Sequence, residues 1–137
     1  MNRKPLNTES FPLRWVDMDA YQHLNNGKYF DLMGETRAAF IHAVCPGLET
    51  FYVLIDVGCQ FIKPLTYPDT VTIKQYLTAY HKASFEMRYE IFSSDEPNKP
   101  AAKGHAKLCC IDAKTQKVCA IPEALKAAFT RDNLTDE

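Results

Sequence analysis

An α+β fold, with one long helix packed on an antiparallel sheet, is what this chain predicts, and three observations carry it. Tyr29, Phe30, Met33, Ala38, Phe40, Ile41 and Val44 fall on one face of a helix. Long runs of period-two alternation come after it. The order is one strand, one long helix and then several strands, which suits a helix covering one face of a single sheet.

Residues 11–16, Phe-Pro-Leu-Arg-Trp-Val, read as the first strand, and the helix spans about residues 26–43. Next, Phe51, Val53, Ile55, Val57, Cys59 and Phe61 alternate with Tyr52, Leu54, Asp56, Gly58 and Gln60, which puts the first row on the core side of a long strand. Gly58 inside that strand signals a bulge or a close approach. A turn at residues 63–69 leads to a strand carrying Val71, Ile73, Leu77 and Ala79. Ser84 opens another, with Phe85, Met87, Tyr89 and Ile91 on one face. These three strands read as an antiparallel meander, ended by the polar loop at residues 93–100. Residues 102–111 supply a further strand, and Pro122 starts a short helix over 122–129. A single domain over residues 1–137 is expected, with a flexible tail over 129–137.

Chemistry is expected at the seam between first strand and helix, where Asp17, Asp19, His23, Asn25 and Asn26 crowd into ten residues. The first amides of a helix are unpaired and carry partial positive charge, so an acyl oxygen can be polarised there beside a carboxylate. Asn25 and Asn26 are also good capping residues, a structural role that competes with the chemical one.

Here Arg14-Trp15-Val16-Asp17-Met18-Asp19-Ala20-Tyr21-Gln22-His23-Leu24-Asn25-Asn26 resembles the signature of the hotdog-fold acyl-CoA thioesterases of the 4-hydroxybenzoyl-CoA thioesterase family. Phe61-Ile62-Lys63-Pro64-Leu65 before Asp69, and Lys82-Ala83-Ser84-Phe85, match later landmarks in order. One departure is Gln22, where many relatives carry glycine. The resemblance implies a hotdog fold, a sheet wrapped around a central helix, pairing as homodimers or homotetramers. Exposed strand edges call for such pairing independently.

The implied reaction is hydrolysis of an acyl-CoA thioester, with coenzyme A as part of the substrate and no separate cofactor. Asp19 matches the family's catalytic carboxylate, as base or nucleophile. Asn26 matches its polarising amide, and His23 donates to the substrate or orients Asp19. Asn25 and Gly27 lie beside them at the helix start, where amides converge on an oxyanion. Val57, Gly58 and Cys59 match the stretch beside the scissile carbonyl and would come from the partner subunit. His81, Lys82 and Ser84 match the nucleotide contacts, where a compact cation suits phosphate. Asp17 reads as a loop-holding residue, Glu35 as a polar-face helix residue, and Cys59 as a small core residue rather than a nucleophile.

The rest of the composition narrows the field. The 46% hydrophobic and 12% aromatic content of 137 residues builds one core. A net charge of -1 and a pI near 6.4 give no basic footprint for nucleic acid. Met1-Asn2-Arg3-Lys4-Pro5 lacks an apolar signal core and no run is long enough to span a bilayer, so the cytoplasm is the expected location, with no membrane partner. Five cysteines without Cys-x-x-Cys spacing indicate neither a disulfide framework nor zinc. His23, His42, His81 and His105 lack metal-ligand spacing. The rivals to an acyl-CoA thioesterase are a β-hydroxyacyl thioester dehydratase, a thioesterase for carrier-protein thioesters, and a non-catalytic acyl-CoA-binding domain.

Overall fold

The computed structural model describes residues 4–132. Along them run β1 (Asn7–Pro12), α1 (Asn26–Val44), β2 (Thr50–Phe61), β3 (Thr70–Tyr80), β4 (Ser84–Phe92), β5 (Ala102–Asp112) and α2 (Glu123–Asp132), with a 3-10 turn at Trp15–Asp17. The five strands form one antiparallel sheet in the order β1-β3-β4-β5-β2. With α1 laid against it, this is the hotdog architecture.

Helix α1 begins where Asn25 Oδ1 accepts the Gly27 N–H at 2.9 Å. It ends at Cys45, just before Pro46. Tyr29, Met33, Phe40 and Ile41 are buried, Phe30 and Val44 partly so, while Ala38 is exposed. Gly104 on β5 lets the helix come close, because Met33 Sδ fills the space a Cβ on Gly104 would need.

Four expectations are corrected. The first strand lies earlier, at Asn7–Pro12, because Pro12 closes it and the Leu13 N–H turns away to the Asp69 carbonyl at 2.8 Å. The meander is β3-β4-β5, and β2 crosses over to pair with β5 at the sheet edge. Within β2 the register slips between Leu54 and Asp56, making Ile55 an extra residue. Such a bulge reverses which side chains face inward. Val57 and Cys59 pack on the core as expected, but Phe51, Val53 and Ile55 are about half exposed, and Tyr52 takes the inward place against Phe85. The bulge is thus three residues before Gly58, whose missing side chain instead admits the His105 ring. Finally, residues 129–132 belong to α2 rather than to a tail. Phe129 is fully buried between Phe40 and Phe85, where its ring adds to a packed aromatic cluster; residues 133–137 lie outside the described residues.

A polar chain crosses the core under α1. Tyr89 Oη donates to Gln75 Oε1 at 2.6 Å, Gln75 Nε2 donates to Asn7 Oδ1 at 2.7 Å, and Asn7 Nδ2 donates to the Thr36 carbonyl on α1 at 3.0 Å. Arg37 adds a donor to Tyr89 Oη at 3.2 Å. Burial pushes the Tyr89 hydroxyl up to about 12, so it stays a donor at neutral pH. Three strands and the helix are thereby held in one register, since buried polar groups are costly unless paired. Tyr89→Phe should lower unfolding free energy by about 1–3 kcal/mol, the cost of a buried acceptor left unpaired. A denaturant midpoint and slope unchanged from the parent would show that Gln75 finds another donor.

Candidate active site

The segment between β1 and α1 folds back on itself. The Asp19 N–H donates to the His23 carbonyl at 2.8 Å, and Leu24 N–H reaches the Leu65 carbonyl at 2.7 Å, anchoring the loop on a buried leucine pair. Asp19 sits at its centre. Its Oδ1 accepts the N–H groups of Tyr21 at 2.8 Å and His23 at 3.2 Å. Oδ2 has no hydrogen-bond partner among the described residues.

Asp17 is differently employed. It lies on the 3-10 turn rather than a strand, so it does not share a face with Asp19 by strand alternation. Arg14 Nε and Nη2 donate to its two oxygens at 3.1 and 2.8 Å, and Lys28 Nζ stands 3.6 Å away. The Arg14 hydrogen bond, ahead of charge attraction to Arg14 and Lys28, holds its carboxyl below the usual range. Its carbonyl accepts the Asn25 N–H at 3.0 Å, so Asp17 fixes the approach to α1.

Asp19, His23 and Asn26 meet in a cavity of about 260 Å³ that Leu24, Tyr29 and Phe61 also line. The backbone N–H of Asn26 has no partner among the described residues, as expected of a first helical residue. Gly27 N–H is taken by the Asn25 cap, which leaves Asn26 as the amide able to meet an oxyanion there. His23 contributes its N–H to Asp19 through the backbone and also lines the cavity. Asp19 also borders a second cavity of about 590 Å³, walled by Trp15, Val16, Met18, Gln22 and Tyr67. Those wall residues were missed in the sequence, since nothing in an aromatic side chain tells a cavity wall from core.

The remaining candidates lie elsewhere in the same chain. Gly58 and Cys59 border a separate hollow with Lys103 and His105 at the sheet edge, and Val57 adjoins it. Burial pushes the Cys59 thiol up to about 11, against a thiolate nucleophile. His81 and Lys82 line a cavity with Lys126 near α2. Ser84 pairs with Cys109 and Cys109 with Val53, whereas the Asp19 cavity lies at the Phe61 end of β2. Eight strand positions separate the two ends, about 25 Å, so one chain does not bring its Asp19 and its Lys82 together. Glu35 is exposed on α1. Among the described residues no group of three His, Cys, Asp or Glu side chains is placed to hold a metal ion, and no helix is long and apolar enough to cross a membrane.

One long helix laid on a five-stranded antiparallel sheet, with Asp19 beside the helix start, defines a hotdog protein. Residues 13–129 match the Thioesterase-like superfamily, and the chain belongs to it. It is 24% identical over 126 residues to the long-chain acyl-CoA thioesterase FadM of Escherichia coli, covering 83% of this chain and 89% of that one. The solved structure of the PA2801 protein from Pseudomonas aeruginosa superposes with a TM-score of 0.85 at 26% identity, covering 91% of this chain and 98% of that one. The Staphylococcus aureus protein SAV2348, solved in complex with CoA, shares the fold with a TM-score of 0.85 at 14% identity, over 100% of this chain and 90% of that one.

Asp69 holds the turn that carries Thr66 and Tyr67 to the larger cavity. Its side chain accepts Ser93 Oγ at 2.6 Å, Ser94 Oγ at 2.5 Å and Thr70 N–H at 2.7 Å. Burial alone would raise its pKa, but the Ser93 and Ser94 donors outweigh burial and hold it below the ordinary value. A carboxyl depressed by folding gives stability that is complete above the unfolded pKa and lost as pH falls through the folded one. Asp69→Asn should therefore lose Tm less steeply than the parent on acidification below about pH 4. Parallel acid curves would take Asp69 out of that transition.

Proposed function

We propose that the chain is an acyl-CoA thioesterase of the 4-hydroxybenzoyl-CoA thioesterase type, acting in the cytoplasm. The observation that carries the reading is the pairing, in one cavity, of the unengaged Oδ2 of Asp19 with the unpaired Asn26 N–H. Thioester hydrolysis asks for both. Water or Oδ2 itself attacks the carbonyl carbon, and the carbonyl oxygen gains negative charge that the Asn26 N–H and the helix dipole stabilise. Collapse of that adduct breaks the C–S bond and releases the CoA thiol and, after water has entered, the free acid. Either role of Asp19 needs its charge at Oδ2. Superfamily membership and the FadM likeness support this reaction, and it draws on no metal or further cofactor.

Asp19→Asn keeps shape and removes charge, so kcat should fall about 10²-fold or more on the best substrate of a panel of aliphatic and aromatic acyl-CoAs, with KM little changed. Asp17→Asn should cost clearly less. A folded Asp17→Asn or Glu35→Gln without activity, beside an Asp19→Asn within a few-fold of the parent, would move the carboxylate assignment.

The same reading includes a homodimer joined along β2, associating further to a homotetramer. β2 has β5 on one side only, and its exposed Phe51, Val53 and Ile55 make an apolar edge. Antiparallel pairing of two β2 strands sets the Thr50 end of one beside the Phe61 end of the other. His81, Lys82 and Ser84 of the partner subunit then approach the Asp19 cavity, whereas Val57, Gly58 and Cys59, two to four residues before Phe61, serve it from the same chain's β2. Light scattering should give at least two chains per particle, and Ile55→Lys should yield monomers with activity lost. A fully active monomer would sink this arrangement.

A further inference from the structure

Among the described residues, Gln22 and Gln116 are the non-glycine residues with positive φ, at 63° and 62°. Glycine takes that backbone without steric cost, so a long side chain there calls for a reason. For Gln116 the reason is local: its Nε2 donates to the Ala113 carbonyl at 2.8 Å and closes the turn after β5. The Gln22 carboxamide has no partner among the described residues. It is exposed, and it borders the cavity of about 590 Å³ with Trp15, Val16, Tyr67 and Asp19.

Asp19 borders both this cavity and the smaller one at the helix start, so a thioester carbonyl at Asp19 has one substrate arm in each. The two differ in lining. Leu24 and Tyr29, each 2% exposed, give the smaller one a buried apolar floor that suits the acyl group. Trp15 at 73%, Val16 at 68% and Tyr67 at 44% exposure wall the larger one. The arm reaching Asp19 from the solvated phosphates of CoA passes over exposed side chains such as these. That arm, pantetheine, is methylene and methyl segments separated by amides, and it suits apolar walls carrying one isolated carboxamide. A carboxamide offers the donor and the acceptor that an amide lacks a partner for once it leaves water.

We propose that Gln22 hydrogen-bonds an amide of the substrate's pantetheine arm in the cavity between Trp15 and Tyr67. Resting on the thioesterase reading, this makes Gln22 a binding residue that the loop keeps despite its unfavourable backbone.

Gln22→Gly tests it, because the change relieves the backbone and removes the contact together. Tm should rise by a few degrees. KM for acyl-CoA should rise about fivefold, as for one lost hydrogen bond, with the loss falling on KM rather than kcat. The penalty should vanish on the matching S-ethyl thioester, which carries no amide, and Gln22→Asn, tolerant of positive φ, should recover part of the affinity. A raised Tm with KM for acyl-CoA unchanged overturns the proposal, as does an equal penalty on the S-ethyl thioester. If the parent hydrolyses no thioester, the thioesterase reading fails separately. Calorimetry with CoA then decides the contact: binding weakened about fivefold in Gln22→Gly supports it, and equal binding overturns it.

Discussion

The close seating of α1 on the sheet is the constraint on which the rest depends. Met33 occupies the space above Gly104, and the Thr36 carbonyl is tied through Asn7 and Gln75 to Tyr89. A close-packed core has no intermediate setting, so the helix can neither slide nor roll without opening a void or stranding a polar group. That rigidity reaches the helix start. Asn26 lines the Asp19 cavity, and Tyr29, one turn on, is fixed in the core with its ring 4.8 Å from that of Phe61.

The sequence makes α1 legible because its apolar residues repeat at the helical period and Asn25 caps the run, two signals that agree. β3 to β5 are legible for the same reason in period two. The first strand is not, since Leu13, Trp15 and Val16 continue an apolar pattern past Pro12, and the pattern does not register that Leu13 has left the sheet to bond with Asp69. β2 fails more instructively. Its alternation runs unbroken through eleven residues, Phe51 to Phe61, yet the chain spends Ile55 on a bulge, and parity reverses. A bulge has no signature in a run of apolar residues.

That reversal also gives β2 its character as an edge. Had the alternation held, Phe51, Val53 and Ile55 would face the core, and Tyr52, Leu54 and Asp56 would face out. Instead an apolar outer row borders a strand with unpaired backbone groups on one side. Edges left this way invite pairing, whereas proteins that stay monomeric blunt them with charge or proline. Asp56 is charged, but its Oδ2 lies 3.2 Å from His105 Nε2, turned toward β5 rather than guarding the edge.

The site itself was half legible. Asp-x-Asp presents two carboxylates with equal claims, and spacing does not choose between them; only the resemblance favoured Asp19. Folding breaks the symmetry. The 3-10 turn presents Asp17 to Arg14, which occupies both its oxygens and fixes its charge in an ion pair, the arrangement of a structural clamp. Asp19 lies past that turn, where two amides of its own loop hold Oδ1 and leave Oδ2 uncommitted. The role proposed for Asp19 uses this division: one oxygen held firmly enough to aim the group, the other left open to a substrate. The division depends on the tight return from Asp19 to His23, and that return is what forces Gln22 into a positive φ. Backbone strain at Gln22 and the freedom of one oxygen at Asp19 are thus two consequences of the same turn.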